Sequence, residues 1–212
     1  MRNIAIYGAG GLGREIACLI NLINKETPTW NLIGFFDDNP NLKGTRNEYG
    51  EVLGGVDDLN AWSTPLSILV CIGAGSTVKK VVEKIKNPVI DFPNLVYNTT
   101  FSDIDNVKMG KGNIFAGGHV SCAVEIGDFN LINGCCVFGH DDKVGSFNTF
   151  MPGVRVSGEV VIGSECFFGV NSIVLQQIKM GDKVRLGAGS VLMHKPKSNS
   201  LYLGNPAKIF KY

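Results

Sequence analysis

The chain has 212 residues, of which 44% are hydrophobic and 18% charged, with a formal net charge of +1. That length and balance suit a soluble globular protein of one large or two small domains, and they exclude a bulk electrostatic attraction to nucleic acid or another polyanion. No apolar run approaches the ~20 residues that span a bilayer, so no membrane insertion is expected. The opening MRNIAIYGAGGLG lacks the basic, apolar, small-residue order of a signal peptide. The six cysteines form no CxxC pair and read as buried free thiols of a cytoplasmic protein.

In chain order, Asn3 to Tyr7 is a short apolar run, followed by Gly8-Ala9-Gly10-Gly11-Leu12-Gly13 and by helical spacing from Arg14 to Asn24. Strand, glycine turn and helix form the context that gives such a motif meaning, because the glycines let the backbone approach a phosphate at the helix N-terminus. Asn31 to Phe36 is a second strand closed by Asp37-Asp38, where an acid commonly accepts from a ribose or base. Ser67 to Ile72 is a third strand, leading through Gly73-Ala74-Gly75 to a helix over Ser76 to Lys86. Residues 1–95 are therefore a small Rossmann-like parallel α/β domain. A full dinucleotide fold needs two mononucleotide halves. Only one precedes the next domain, which favours a nucleotide or nucleotide sugar over NAD and leaves an inert packing domain as the competing reading.

Residues 96–212 follow another rule. Every sixth residue from Ile114 to Leu192 is large and apolar, fourteen in succession, and the next position is often glycine, as at Gly127, Gly139, Gly145 and Gly163. The fifth position of each six is mostly small or β-branched, as at Cys136, Val154, Val160, Cys166, Ser172 and Ser190. No helix repeats at six and an isolated strand alternates at two. The period predicts short strands wound into a parallel β-helix, with the glycines relieving crowding at corners. Phe101 to Gly112 reads as an imperfect first turn, Lys195 to Asn199 breaks the repeat, and Leu201 to Tyr212 is a short apolar tail with a turn at Gly204-Asn205-Pro206-Ala207.

Three histidines are present. His140, in Phe138-Gly139-His140-Asp141-Asp142, falls near a corner where a side chain can point outward. The adjacent acid can orient the ring and stabilise its protonated form. His194 shares its phase but lies three coils away and reads as a surface residue. His119 has another phase and reads as a turn residue. This spacing excludes a three-histidine zinc site, so no metal is expected. Cys136 and Cys166 are explained by packing, and Cys135 lacks an activating histidine.

The assembled pattern resembles the left-handed β-helix (hexapeptide-repeat) acyltransferases, and more closely the bacterial sugar acetyltransferases of the NeuD and PglD type. The motifs that carry the likeness are GAGGLG with FFDD, the DFPNL connector, LINGCCVFGHD, the repeat and the closing LGNPAK. The resemblance implies acetyl-CoA as co-substrate, a nucleotide-sugar acceptor and a homotrimer with its CoA groove between adjacent prisms. By position it implies His140 as catalytic base, Asp141 as the acid that raises its basicity, and Asn133 as an asparagine close to it. It implies nucleotide-sugar contacts at Gly10, Gly11, Leu12, Asp37, Asp38 and Gly73. Acetyl-CoA contacts are implied at Thr149, Val170 and Ala188, with Lys208 toward a CoA phosphate and a backbone N–H near Gly158 for the oxyanion. The chain departs from the pattern at Tyr97-Asn98, where relatives often have His-Pro. It departs at Thr149, which is His in some, and at Asp141, where Glu is found. The activity so implied is N-acetylation of a nucleotide-linked amino sugar in bacterial surface-glycan biosynthesis by direct transfer. The rivals are O-acetylation of a sugar or sialic acid and a non-catalytic sugar-nucleotide-binding trimer. The glycine turn with Asp37 and Asp38 favours a nucleotide-bearing acceptor, and His140 beside Asp141 favours an enzyme.

Overall fold

The first apolar run becomes the central strand of a parallel sheet. A computed structural model describes residues 1–211, and the chain divides into two units, Met1–Pro93 and a second from Asn94 onward. The first unit comprises, in order, β1 (Arg2–Tyr7), α1 (Gly11–Glu26), β2 (Trp30–Phe36), β3 (Arg46–Asn47), β4 (Gly50–Gly54), α2 (Val56–Asn60), β5 (Leu66–Val70), α3 (Gly75–Lys84) and β6 (Ile90–Asp91). The sheet order is β3-β4-β2-β1-β5-β6. Because β1 is flanked on both sides by parallel strands, Ile4 to Tyr7 are all buried, which is why the run is continuous rather than alternating. α1 buries Gly13, Ile16, Ala17 and Ile20, one face at helical spacing. The β3–β4 hairpin and α2 are short and escaped the sequence reading, having too few residues to establish a period.

The second unit is a three-sided parallel β-helix. On face one, Leu131 pairs with Thr149, Thr149 with Phe167 and Phe167 with Arg185, each step one coil of 18 residues. Face two carries Cys136–Phe138, Arg155–Val156 and Ile173–Val174. Face three carries Glu125–Ile126, Lys143–Val144 and Val161–Ile162. The fourteen residues at the six-residue period are all buried. The period nevertheless starts one residue late. Phe115, not Ile114, aligns with Ile132, so the spacing to Val120 is five rather than six. Ile114 and Phe115 are both buried, and hydrophobicity alone could not choose between them. The C-terminal tail is an antiparallel hairpin, Leu201–Leu203 with Lys208–Phe210, that extends face one.

The edges explain the glycine excess differently from the expectation. Left-handed backbone recurs every six residues at non-glycine positions, among them Phe129 (φ 54°), Cys135 (φ 63°), Asp141 (φ 60°) and Phe147 (φ 61°), each costing about 1 kcal/mol. Glycine is required two residues earlier. A Cβ on Gly139 would stand 2.4 Å from the Gly158 nitrogen of the next coil, and one on Gly169 would stand 2.4 Å from the Ala188 nitrogen. The crowding is between stacked coils rather than within the turn.

Inside the prism, Phe138 meets Phe150 edge to face at a centroid distance of 4.9 Å, and Phe150 stacks on Phe168 at 4.5 Å. The edge from face three to face one holds an asparagine ladder. Asn113 Oδ1 accepts from the Asn130 backbone N–H (2.9 Å) and Nδ2 (3.0 Å), and Asn130 Oδ1 accepts from the same groups of Asn148 (2.9 and 3.0 Å). All three are buried and occupy the fifth position. That position therefore admits a polar residue whenever the coils satisfy it.

Candidate active site

His140 stands on the edge between faces two and three, just past the strand Cys136–Phe138. Three bonds fix its backbone. Gly139 N–H donates to the Val156 carbonyl (3.0 Å), Asp141 N–H to that of Cys122 (3.1 Å), and Glu159 N–H to that of His140 (2.8 Å). The left-handed Asp141 turns the chain so that both side chains face solvent, 55% and 60% exposed. His140 Nδ1 lies 2.7 Å from Asp141 Oδ2. With its N–H donated to the carboxylate, Nδ1 leaves Nε2 as the basic nitrogen. The Asp141 hydrogen bond holds the imidazole above its ordinary pKa. The ring rests on Gly158 of the next coil, where a Cβ would approach Nε2 to 2.6 Å. The result is an exposed imidazole oriented by an acid.

In the first unit the glycine turn lies between β1 and α1. Gly8 (φ +112°) and Gly13 are demanded by packing, since a Cβ would reach the Cys71 oxygen at 2.6 Å and the Gly8 oxygen at 1.9 Å. Gly10, Gly11 and Gly73 have nothing within 4 Å of a Cβ, so their lack of a side chain leaves room for something from outside. Gly10 caps α1 without a side-chain hydrogen bond, leaving its first N–H groups available. Asp37 accepts from the Ala9 N–H (3.0 Å) and the Asn39 N–H (2.9 Å). Asp38 accepts from the Tyr7 hydroxyl and the Val56 N–H. Both acids thus brace the turn. Arg14 and Arg46 line a cavity of about 190 Å³ beside Gly10. Arg14 is 3.7 Å from Glu48, and Arg46 has no ion pair among the described residues. The sequence reading missed both arginines: Arg14 sat inside the helix motif, and Arg46 lies in a hairpin that had not been recognised.

The PglD N-terminal domain family matches residues 3–85, and the family described as hexapeptide repeat of succinyl-transferase matches residues 159–193. The chain is 29% identical over 196 residues to GDP-perosamine N-acetyltransferase of Escherichia coli O157:H7, covering 89% of this chain and 85% of that protein. The acetyltransferase domain of PglB from Neisseria gonorrhoeae FA1090, solved in complex with acetyl coenzyme A, matches with a TM-score of 0.88 and 27% identity over 99% of each chain. In sequence and in fold the chain is similar to hexapeptide-repeat sugar acetyltransferases. The fold is also that of PerB from Caulobacter crescentus, solved with CoA and GDP-perosamine, with a TM-score of 0.82 and 24% identity over 100% of this chain and 98% of that one. The β-helix is accordingly of the left-handed class.

In this chain the remaining expected residues separate onto different edges. His140, Asp141 and Gly158 share the edge between faces two and three. Asn133, Val170 and Ala188 follow face-one strands and share the edge between faces one and two. Asn133 Nδ2 donates to the Phe150 carbonyl (3.1 Å), and no bond joins it to His140 in this chain. Val170 and Ala188 are exposed and adjacent, with Gly189 N–H donating to the Val170 carbonyl (2.8 Å). Thr149 is only 2% exposed. Lys208 is exposed on the terminal hairpin.

Two expectations are corrected. Cys122 and Cys135 are exposed, not buried, because both fall at outward-facing positions of their edges. His119 lies in the strand Gly118–Val120, with Nε2 3.1 Å from Ser102 Oγ, rather than in a turn. His194 is exposed, as read from the sequence. Among the described residues no cluster of His, Cys, Asp and Glu could hold a metal ion, and no helix is long and apolar enough to cross a membrane.

Proposed function

We propose that this enzyme transfers the acetyl group of acetyl-CoA to the amine of a sugar linked to a nucleoside diphosphate, with His140 as general base. The observation that carries the reading is the exposed His140 ring, held by Asp141 at Nδ1 with Nε2 open over Gly158. The amine nitrogen attacks the thioester carbonyl and its proton passes to Nε2. The tetrahedral intermediate then collapses, and the departing thiolate takes that proton from the imidazolium. The Gly158 N–H has no partner among the described residues and would stabilise the oxyanion. A cavity of about 460 Å³ one coil below His140 is lined by Asp103, Asp105 and Glu125 against the single cation Lys108, which pairs with Glu125, and the surplus of acids favours an amino sugar over a neutral one.

The nucleotide is assigned to the first unit, its diphosphate to the N-terminus of α1 with Arg14 and Arg46. GDP-perosamine, for which the E. coli relative is named, is the first acceptor to try. Expected contacts fall on two edges flanking face two, which suits a homotrimer whose sites are completed by adjacent copies. Acetyl-CoA and nucleotide sugars as substrates suit a cytoplasmic enzyme.

The test is CoA release followed with a thiol reagent, with GDP- and UDP-linked amino sugars as acceptors and His140→Ala in parallel. Release that needs an amino sugar and vanishes in the variant supports the reading. Release with sialic acid or hydroxyl sugars alone would replace it with O-acetylation.

A further inference from the structure

The residue after the His140–Asp141 pair is out of keeping with its surroundings. Asp142 is 0% exposed and points into the prism, in the fifth position of its coil. The same position on the same edge is Val124 in the coil below and Val160 and Ile178 in the coils above, all buried. Asp142 Oδ1 accepts from the Val160 N–H (2.9 Å), but Oδ2 is buried without a hydrogen-bond partner. A buried acceptor left unpaired is costly.

Packing does not require an acid here. Valine fills the column one coil away in either direction. If the backbone N–H of the next coil needs an acceptor, an amide supplies it, as Asn148 Oδ1 does for the Cys166 N–H (2.8 Å). An amide would also carry donors for the second position, as Asn130 Nδ2 donates to the Gly145 carbonyl (3.0 Å). What only Asp adds to the column is a negative charge.

That charge lies beneath the base. The Asp142 carboxyl grips Val160 from inside the prism, while the His140 ring rests on Gly158 of the same turn from outside. We propose that Asp142 is a positioning residue for His140: it fixes the turn that supports the ring and places a second carboxylate behind the imidazolium formed during transfer. The inference rests on His140 being the base. Burial pushes the Asp142 carboxyl up to about 7, and its charge and that of His140 shift each other's titration, so the two ionisations are coupled. The other titratable groups around them are Asp141 on the same turn, Glu159 on the coil above and Cys122 on the coil below. Of these, Asp141 and Glu159 also raise the His140 pKa.

The test follows the His140 Cε1–H resonance against pH in the full-length protein, for wild type, Asp142→Asn and Asp142→Val, with the resonance assigned by His140→Ala. The kcat/KM profile is measured beside it. In wild type the His140 curve is expected to be broadened by the Asp142 ionisation near pH 7. In both variants it is expected to become a single step with its midpoint lower by about half a unit or more. The acidic limb of kcat/KM should follow it, and the plateau should fall about three- to tenfold as the base weakens. A His140 curve and a rate profile that superimpose on wild type in both variants would overturn the positioning role, leaving Asp142 a local packing feature. Full turnover in His140→Ala would instead overturn the base assignment, a result separable because the resonance is read without turnover.

Discussion

Two edges of the β-helix use polar residues at the same inward position and treat them oppositely. On the edge from face three to face one, Asn113, Asn130 and Asn148 pass hydrogen bonds from coil to coil and close the chain of donors and acceptors. On the edge from face two to face three, Asp142 makes the corresponding bond to Val160 and leaves its second oxygen unpaired. Inside a low-dielectric prism the first arrangement stabilises and the second costs. The cost falls inside the turn that carries the exposed His140. The comparison shows that the repeat fixes geometry on both edges and leaves an unpaired acceptor inside the turn that carries His140.

The largest expected effect removes the chemistry and spares the scaffold. His140→Ala should lower turnover about 10²–10⁴-fold, measured by CoA release, with an unchanged melting temperature because the side chain is exposed. The reverse experiment breaks the ladder. Asn130→Ala strands the Asn148 N–H and amide in the interior and should cost about 2–4 kcal/mol in chemical unfolding, without moving the pH profile of the surviving enzyme. Third, Gly158→Ala places a Cβ where His140 Nε2 now lies, 2.6 Å away. Displacing the ring should lower kcat about 10- to 100-fold with little change in stability.

The fourth prediction concerns pH and stability. The native Asp142 carboxyl titrates at about 7 and the unfolded one near 3.8. The native state therefore binds the proton more tightly, and stability falls as pH rises from about 4 to about 7. Asp142→Asn should therefore be more stable than wild type by roughly 1–4 kcal/mol at pH 8 and nearly equal to it at pH 4, as read by thermal melts at both values. A gain independent of pH would show that the Asp142 carboxyl titrates alike in the native and unfolded chains. The smallest effect is Asp141→Asn. Losing the bond at Nδ1 lowers the His140 pKa and should reduce kcat about two- to tenfold. The raised imidazole pKa contributes stability below the ordinary histidine range, and that contribution is lost as pH passes the native value. Removing it should be visible only in mildly acidic melts.

Much of this was legible in the sequence because the repeat amplifies a weak signal. One buried apolar residue says little, whereas fourteen at a six-residue period specify coils, faces and an inside. His140 was found because it broke the pattern at an outward position beside an acid. Other features were illegible for physical reasons. Asn130, Asn148 and Asp142 all look solvent-exposed by polarity, and only the stacking of coils 18 residues apart shows that they point inward. The start of the repeat was read one residue early because Ile114 and Phe115 are equally apolar. Arg14 and Arg46 are ordinary surface arginines until the sheet brings the β3–β4 hairpin beside the glycine turn.

The sequence by itself determined the two-unit plan, the β-helix, the glycine turn and the candidate base, since each rests on local periodicity or adjacent residues. The tertiary structure alone decided which glycines are required by packing and which are open. It also separated the expected contacts onto two edges and singled out the one acid in an apolar column. Those are contacts between residues one coil or more apart, and their energetics depend on what lies above and below in space.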